Sequence, residues 1–240
     1  MKVRQFHRWD LTYDEAVAVQ RRLAARVRQG PPLRKVETVA GADVSAGRKD
    51  ELIAAVVVVM RLATLKILEI SRAKMRARWP YVPGFLSFRE APVVLEAFRQ
   101  LKTRPDLVIC DGQGRAHPRR LGLASHVGLA LGLPTVGCAK SLLVGTVPRE
   151  PGRRRGGRAP LMDSRERIGT VLRTRTGVNP VFVSVGYRID LASAERWVLA
   201  ASPRFRLAEP IRAAHRLVTA YKASLGGRRP RAPCVVNARR

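Results

Sequence analysis

The stretch from Asp106 to Gly128, DLVICDGQGRAHPRRLGLASHVG, leaves a chain few ways to fold. It opens with a short apolar run, Leu107 to Cys110, with Pro105 before it and the pair Asp111-Gly112 after it. That pattern predicts a buried strand ending at a carboxylate. A second glycine, Gly114, then Arg115, His117, Pro118, Arg119 and Arg120 follow, and then an apolar-periodic run from Leu121 to Leu133 that predicts a helix. Such an order sets Asp111 outside the carboxyl end of a strand, where ligands collect in open α/β sheets.

The rest of the chain supplies neighbours for that strand. Thr12 and Glu15 are spaced as a capping box for a first helix that Gly30-Pro31-Pro32 stops, and residues 1–9 read as a frayed lead-in. Three strand-like runs come next, Val36 to Ser45, Leu52 to Met60 and roughly Leu65 to Ser71. Their short connections, with Gly47 in the first, predict antiparallel pairing. Ser87 and Glu90 are spaced as a second capping box, opening a helix with Pro92 in its first turn. Beyond Leu133, a strand at Thr135–Gly137 leads to Ala139-Lys140-Ser141, and residues 148–160 read as a mobile loop. Strands resume at Ile168–Arg173 and Val181–Gly186, followed by helices near Leu191–Ala201 and Pro210–Leu225. A helix, three meandering strands and then strand–helix alternation predict an α/β fold with a mixed β-sheet and helices on both faces. In that layout the strand ending near Asp43 lies beside the strand ending at Asp111. Residues 1–225 are expected to form one catalytic domain, and 226–240 a basic, disordered tail.

Composition narrows the partners. A hydrophobic fraction of 46% over 240 residues suits a folded chain, and a net charge of +28 favours polyanions, nucleic acid first. The most apolar run, Leu52 to Met60, is far short of the roughly 18 residues of a membrane helix. No secretory signal is visible at the start, and three cysteines are too few for a disulfide framework. A soluble, cytoplasmic, monomeric protein without a membrane partner is expected.

Asp43, in GADVS, and Asp111 each end an apolar strand. Each alone reads as a turn residue or a ligand; together they suggest a divalent cation, because buried carboxylates need a counter-charge. Glu90 is explained by capping, Asp106 by a turn, and His126 as a satisfied core histidine. His117 shares the rim with Asp111 and is a candidate for phosphate contact, along with Arg119 and Arg120. His215 is either an ordinary helix histidine or an outer member of a metal site. Tyr81, between Pro80 and Pro83, is packed on its own loop or is a stacking wedge for bases. The glycines of DGQG are only a fragment of a dinucleotide fingerprint. From the residues alone the chain is a basic α/β nucleic-acid enzyme using a metal.

GADVS, PYVPGFLSFREAP, DLVICDGQGRAHPRRLGLASHVGL, PTVGCAKS, APLMD and NPVFVSVGYR occur in this order. Together they resemble the endonuclease V family of deoxyinosine 3′-endonucleases, from about residue 10 to about residue 222. The resemblance implies a ribonuclease-H-like fold and a Mg²⁺-dependent enzyme, with Mn²⁺ able to replace Mg²⁺. It implies an inosine-containing DNA substrate, with single-stranded DNA or RNA as further candidates. The cut expected is at the second phosphodiester 3′ to the deaminated adenine, leaving 3′-hydroxyl and 5′-phosphate ends. By the same resemblance Asp43 and Asp111 hold metal, Glu90 and His215 complete the catalytic set, and Tyr81 is the wedge. Gly84, Leu86, Gly112 and Leu142 line the base pocket, His117 stays on its rim, and Lys140 lies near the cleaved strand. Ala46, Tyr187 and Trp79 depart from the family pattern and bear on fine substrate preference. An inosine-specific endoribonuclease and a non-catalytic basic nucleic-acid-binding protein are the rival readings.

Overall fold

The β-branched run Leu52 to Met60 becomes β2 (Leu52–Arg61), buried along nearly its whole length, and the strands on either side of it define the sheet. The structure, a computed structural model, describes residues 1–46 and 52–225. Gly47 and the tail from 226 therefore lie outside the described residues.

β1 (Thr38–Ser45) and β3 (Ile67–Arg76) flank β2, both antiparallel to it. β4 (Leu107–Cys110) runs parallel to β1, and β5 (Thr135–Ala139) parallel to β4. β6 (Arg158–Asp163), β7 (Glu166–Leu172) and β8 (Val181–Tyr187) complete a sheet ordered β3-β2-β1-β4-β5-β8-β7-β6. This is the expected mixed sheet with helices on both faces, and its arrangement is ribonuclease-H-like. One face carries Val39, Val56 and Ile109 against α4 (Leu191–Ala200) and α5 (Glu209–Leu225). The other carries Ala40, Val57 and Cys110 against α2 (Leu86–Gln100) and α3 (Leu123–Leu131). Alternation along each strand feeds both cores at once. α1 (Tyr13–Ala24) joins an outer cluster with Trp79, Phe88 and Leu129, and its Thr12–Glu15 capping box forms as predicted. Among the described residues no helix is long and apolar enough to cross a membrane.

Four expectations need correction. The Ser87–Glu90 capping box does not form: α2 starts at Leu86, has no side-chain cap, and places Pro92 well inside the helix. The Ser87 hydroxyl instead meets His126 Nδ1 at 3.2 Å, which leaves the Glu90 carboxylate available elsewhere. Residues 1–9 are not frayed, because the Arg4 amide donates to the Ala130 carbonyl and Trp9 packs among Phe88 and His126. The glycine-arginine loop after Pro148 is anchored by Arg173, whose guanidinium donates to the carbonyls of Pro151, Gly152 and Val178, and its last residues enter β6. β3 continues past Ser71 to Arg76, because an edge strand buries only alternate residues such as Ala73 and shows no apolar run.

α5 crosses β1 in direct backbone contact at Gly41. A Cβ built there would lie 2.3 Å from the Pro210 carbonyl carbon and 2.5 Å from the Ile211 nitrogen. Gly41→Ala must push α5 off the sheet, and overpacking of this kind costs about 1–3 kcal/mol. The variant is expected to melt lower and to lose activity beyond that instability, since α5 carries His215. Thermal melting with a nicking assay well below the melting point checks this; unchanged activity would mean that α5 is not held to sub-ångström tolerance.

Candidate active site

β1 and β4 are paired so that Ala42 lies beside Cys110. The next residue on each strand is an aspartate, so Asp43 and Asp111 leave the sheet side by side, one strand spacing apart. Both carboxylates are largely buried, 13% and 14% exposed. Each faces a cation or a potential cation. His215 Nδ1 lies 2.7 Å from Asp43 Oδ2, and Lys140 Nζ lies 2.6 Å from Asp111 Oδ2. Glu90 reaches the same place from the second turn of α2. Its carboxyl is pushed up to about 8, first by burial and then by the charges of Asp43 and Asp111. Asp43 is raised as well, by burial and then by Asp111, against the hydrogen bond from His215. The four residues predicted as catalytic therefore form one electrostatic unit, although they come from four separate elements.

The charges of Asp43 and Asp111 thus act on a buried Glu90, an excess of negative charge at one place, and oxygen donors of this kind suit a hard cation such as Mg²⁺. Among the described residues no group of three or more His, Cys, Asp or Glu side chains is placed so that it could hold a metal ion.

Beside the carboxylates is a cavity of about 270 Å³, on the scale of a single base-sized group. All seven residues predicted to meet the lesion line it: Tyr81, Gly84, Leu86, Gly112, His117, Lys140 and Leu142. Asp111 lines it too, so the cavity and the acidic cluster share a wall. Tyr81 and Leu142 stand at 43% and 46% exposure on its lip, which is costly for large apolar groups unless something covers them.

The walls are held from behind. The Gly84 carbonyl accepts from Gln20 Nε2 at 2.8 Å, Arg119 Nη2 at 2.9 Å and His117 Nε2 at 3.0 Å. Gly84 itself sits at φ 79°, a left-handed conformation that glycine adopts freely. His117 is 4% exposed and its pKa falls to about 4, chiefly through burial, so a neutral imidazole braces the loop. Of the expected strand-gripping residues, Arg119 is bonded here to Gln20 and Gly84 and Arg120 to Asp163 and Glu166. On the opposite wall Gln113 Nε2 donates to the Ser141 carbonyl at 3.0 Å, tying the turn after β4 to the loop after β5.

Sequence reasoning missed some of this support. Trp79 is 5% exposed, stacked on Phe85 and Phe88 at 5.8 and 5.3 Å and edge-on to Tyr13 at 5.1 Å. It anchors the start of the Tyr81 loop rather than standing beside it. His7, which no sequence pattern singles out, meets His126 Nε2 through its own Nε2 at 2.8 Å. The 5% aromatic content concentrated near Trp79 was the one available signal.

With this geometry in hand, comparison with known proteins is direct. The sequence profile of endonuclease V matches residues 21–216. Endonuclease V of Myxococcus xanthus is 50% identical over 221 residues, covering 91% of this chain and 93% of that protein. The crystal structure of endonuclease V from Streptomyces avermitilis has a TM-score of 0.86 at 42% identity, covering 94% of this chain and all of that one (100%). Ciona intestinalis endonuclease V, in complex with a 23mer DNA containing an inosine followed by a ribo-adenosine, shares the fold. Its TM-score is 0.80 at 24% identity, over 90% of this chain and 100% of that one.

Proposed function

The chain belongs to the endonuclease V family, and from that premise we propose that it is a Mg²⁺-dependent repair endonuclease of the cytoplasm acting on deoxyinosine in DNA. The reaction is hydrolysis of the second phosphodiester 3′ to the lesion, leaving 3′-hydroxyl and 5′-phosphate ends. Residues 1–225 act as one catalytic domain, with the basic tail as an accessory. One observation carries this reading: a base-sized cavity and a cluster of three acids meet at Asp111 and Lys140. A protein that only bound polyanions would have no electrostatic use for such acids.

Asp43 and Asp111 would hold the ion, with Glu90 beside them. When bound, Mg²⁺ supplies charge neutralisation at the phosphate and a more acidic water. The remaining work falls to the chain. Water oxygen attacks phosphorus in line, the bond to the 3′-oxygen breaks, and that oxygen leaves as a hydroxyl with a proton returned from solvent. His215 Nδ1 is held by Asp43, which fixes its ring and directs Nε2 outward to orient the water. Lys140 offers positive charge at the junction of cavity and acids. The cavity accepts the flipped base, an extrusion that costs a few kcal/mol and less at a mismatched pair. Hypoxanthine differs from adenine in presenting a carbonyl in place of an exocyclic amine, and walls fixed from behind by Gly84 and Gln113 leave little play for the wrong edge.

The decisive assay measures nicking of inosine-DNA, inosine-RNA and undamaged strands with and without Mg²⁺. Metal-dependent nicking of inosine-DNA alone is the expected result; preference for the RNA strand would reassign the substrate, and equal nicking of undamaged DNA would end the lesion reading. Tyr81→Ala is expected to lower inosine-DNA affinity by about tenfold while hardly changing binding to undamaged DNA, since base stacking is worth about 1–3 kcal/mol. Competition binding checks it, and equal losses on both strands would remove the wedge role.

A further inference from the structure

The carboxyl end of the central strands carries a cavity on each face of the sheet. The base-sized cavity lies on the side of α2 and α3. A second, of about 240 Å³, lies on the side of α5 and is bounded by Lys140, Leu207, Arg212, His215 and Arg216. Lys140 lines both cavities, and the acids lie at the divide, since Lys140 holds Asp111 and His215 holds Asp43.

Arg212, His215 and Arg216 are spaced i, i+3, i+4, so they share one flank of α5. The acids near that flank are already matched, Asp43 by His215 and Glu209 by Arg204 and Arg212, each 3.6 Å away. Arg212 also lies over the Phe205 ring, 3.4 Å from its centroid. Arg216 is exposed and, among the described residues, makes no ion pair. The walls thus present cations and one apolar side chain, without the mixed donors and acceptors that read a base. Guanidinium forks match phosphate oxygens in geometry as well as charge.

We infer that this cleft seats the phosphodiester immediately 3′ to the cleaved bond, as an anion held between Arg216, Arg212 and Lys140. The inference rests on the proposed function and extends it. A strand whose inosine enters one face and whose scissile phosphate lies on the acids between the two cavities continues onto the opposite face.

The test is a scan of inosine strands in which one phosphodiester at a time is replaced by a neutral methylphosphonate. Binding by anisotropy in chelator is measured for the wild type and for Arg216→Gln, whose exposed side chain should leave the melting temperature unchanged. Neutralising the linkage 3′ to the cleaved bond should weaken wild-type binding about five- to tenfold, the loss of one phosphate contact. Arg216→Gln should lose a similar factor on the all-phosphate strand and little more when that linkage is neutral, while its loss multiplies with neutralisation elsewhere. Multiplying losses at that linkage too, or wild-type affinity of Arg216→Gln for the all-phosphate strand, overturns the seat. Should the wild type show no preference for inosine over undamaged DNA, the proposed function itself fails; inosine preference with multiplying losses sinks the phosphate seat alone.

Discussion

Asp43→Ala and Asp111→Ala are each expected to lower inosine-directed nicking by about a thousandfold or more while leaving DNA binding intact or tighter. The two halves of this result have one cause. Both carboxylates sit at the ends of parallel strands in matched register, largely buried, with Glu90 close enough to feel their charge. Removing either would delete an oxygen donor of the proposed cation site, and losses of this kind in preorganised charge stabilisation run to about 10²–10³ or beyond. The same deletion removes a negative charge from beside a phosphate and frees Lys140 or His215 from its partner, so affinity should not fall. Folding should not suffer either, because the charges of Asp43 and Asp111 raise the cost of ionising Glu90. Single-turnover nicking in Mg²⁺, with binding measured in chelator, separates the two effects. Near wild-type cleavage by either variant would exclude that residue from the metal site, and a parallel collapse of binding would mean that the substitution had damaged the fold.

How much of this was legible in the sequence depends on how local its cause is. The strands ending at Asp43 and Asp111 were visible because buried parallel and central strands read as unbroken apolar runs. Their adjacency was expected from the strand–helix order of a mixed sheet, and the register Ala42 to Cys110 fulfils it. Glu90 was misread because helix capping is a local pattern with the same spacing, and nothing nearby shows that α2 starts one residue before Ser87 and turns the carboxylate inward. β6 was hidden behind a glycine-arginine loop, since the contact that orders the loop is a single buried guanidinium, Arg173, from the neighbouring strand. His117 to Arg120 looked like a phosphate grip because charge is visible in sequence while its partners, Gln20, Asp163 and Glu166, are distant. Resemblance to the family supplied the roles of residues whose contacts cross the chain; periodicity supplied the scaffold.

Glu90→Gln is expected to make the metal-free protein more stable and to abolish its stabilisation by Mg²⁺, with the difference growing as pH rises. Burial and two neighbouring charges move the Glu90 carboxyl from 4.5 up to about 8. Between those values the folded protein holds a proton that the unfolded chain has released, so raising the pH draws the equilibrium toward unfolding. The contribution is fully favourable below about 4.5 and is lost as pH climbs through about 8, amounting to a few kcal/mol, roughly 1.4 kcal/mol per pKa unit. A glutamine of the same shape never ionises and avoids that cost. Mg²⁺ is expected to act on the wild type in the opposite sense, binding the ionised cluster, stabilising the folded state by mass action and flattening the pH dependence. Melting curves of both proteins from pH 6 to 9, with and without Mg²⁺, show whether this holds. Shared effects of the net charge cancel in the comparison, so parallel pH profiles for the two proteins, or equal Mg²⁺ shifts, would mean that Glu90 is not part of the cation's charge balance. The stability that this acid gives up in the absence of metal is the physical argument for its role, because a buried carboxylate beside two others is retained against its own electrostatic cost only where something positive is meant to join it.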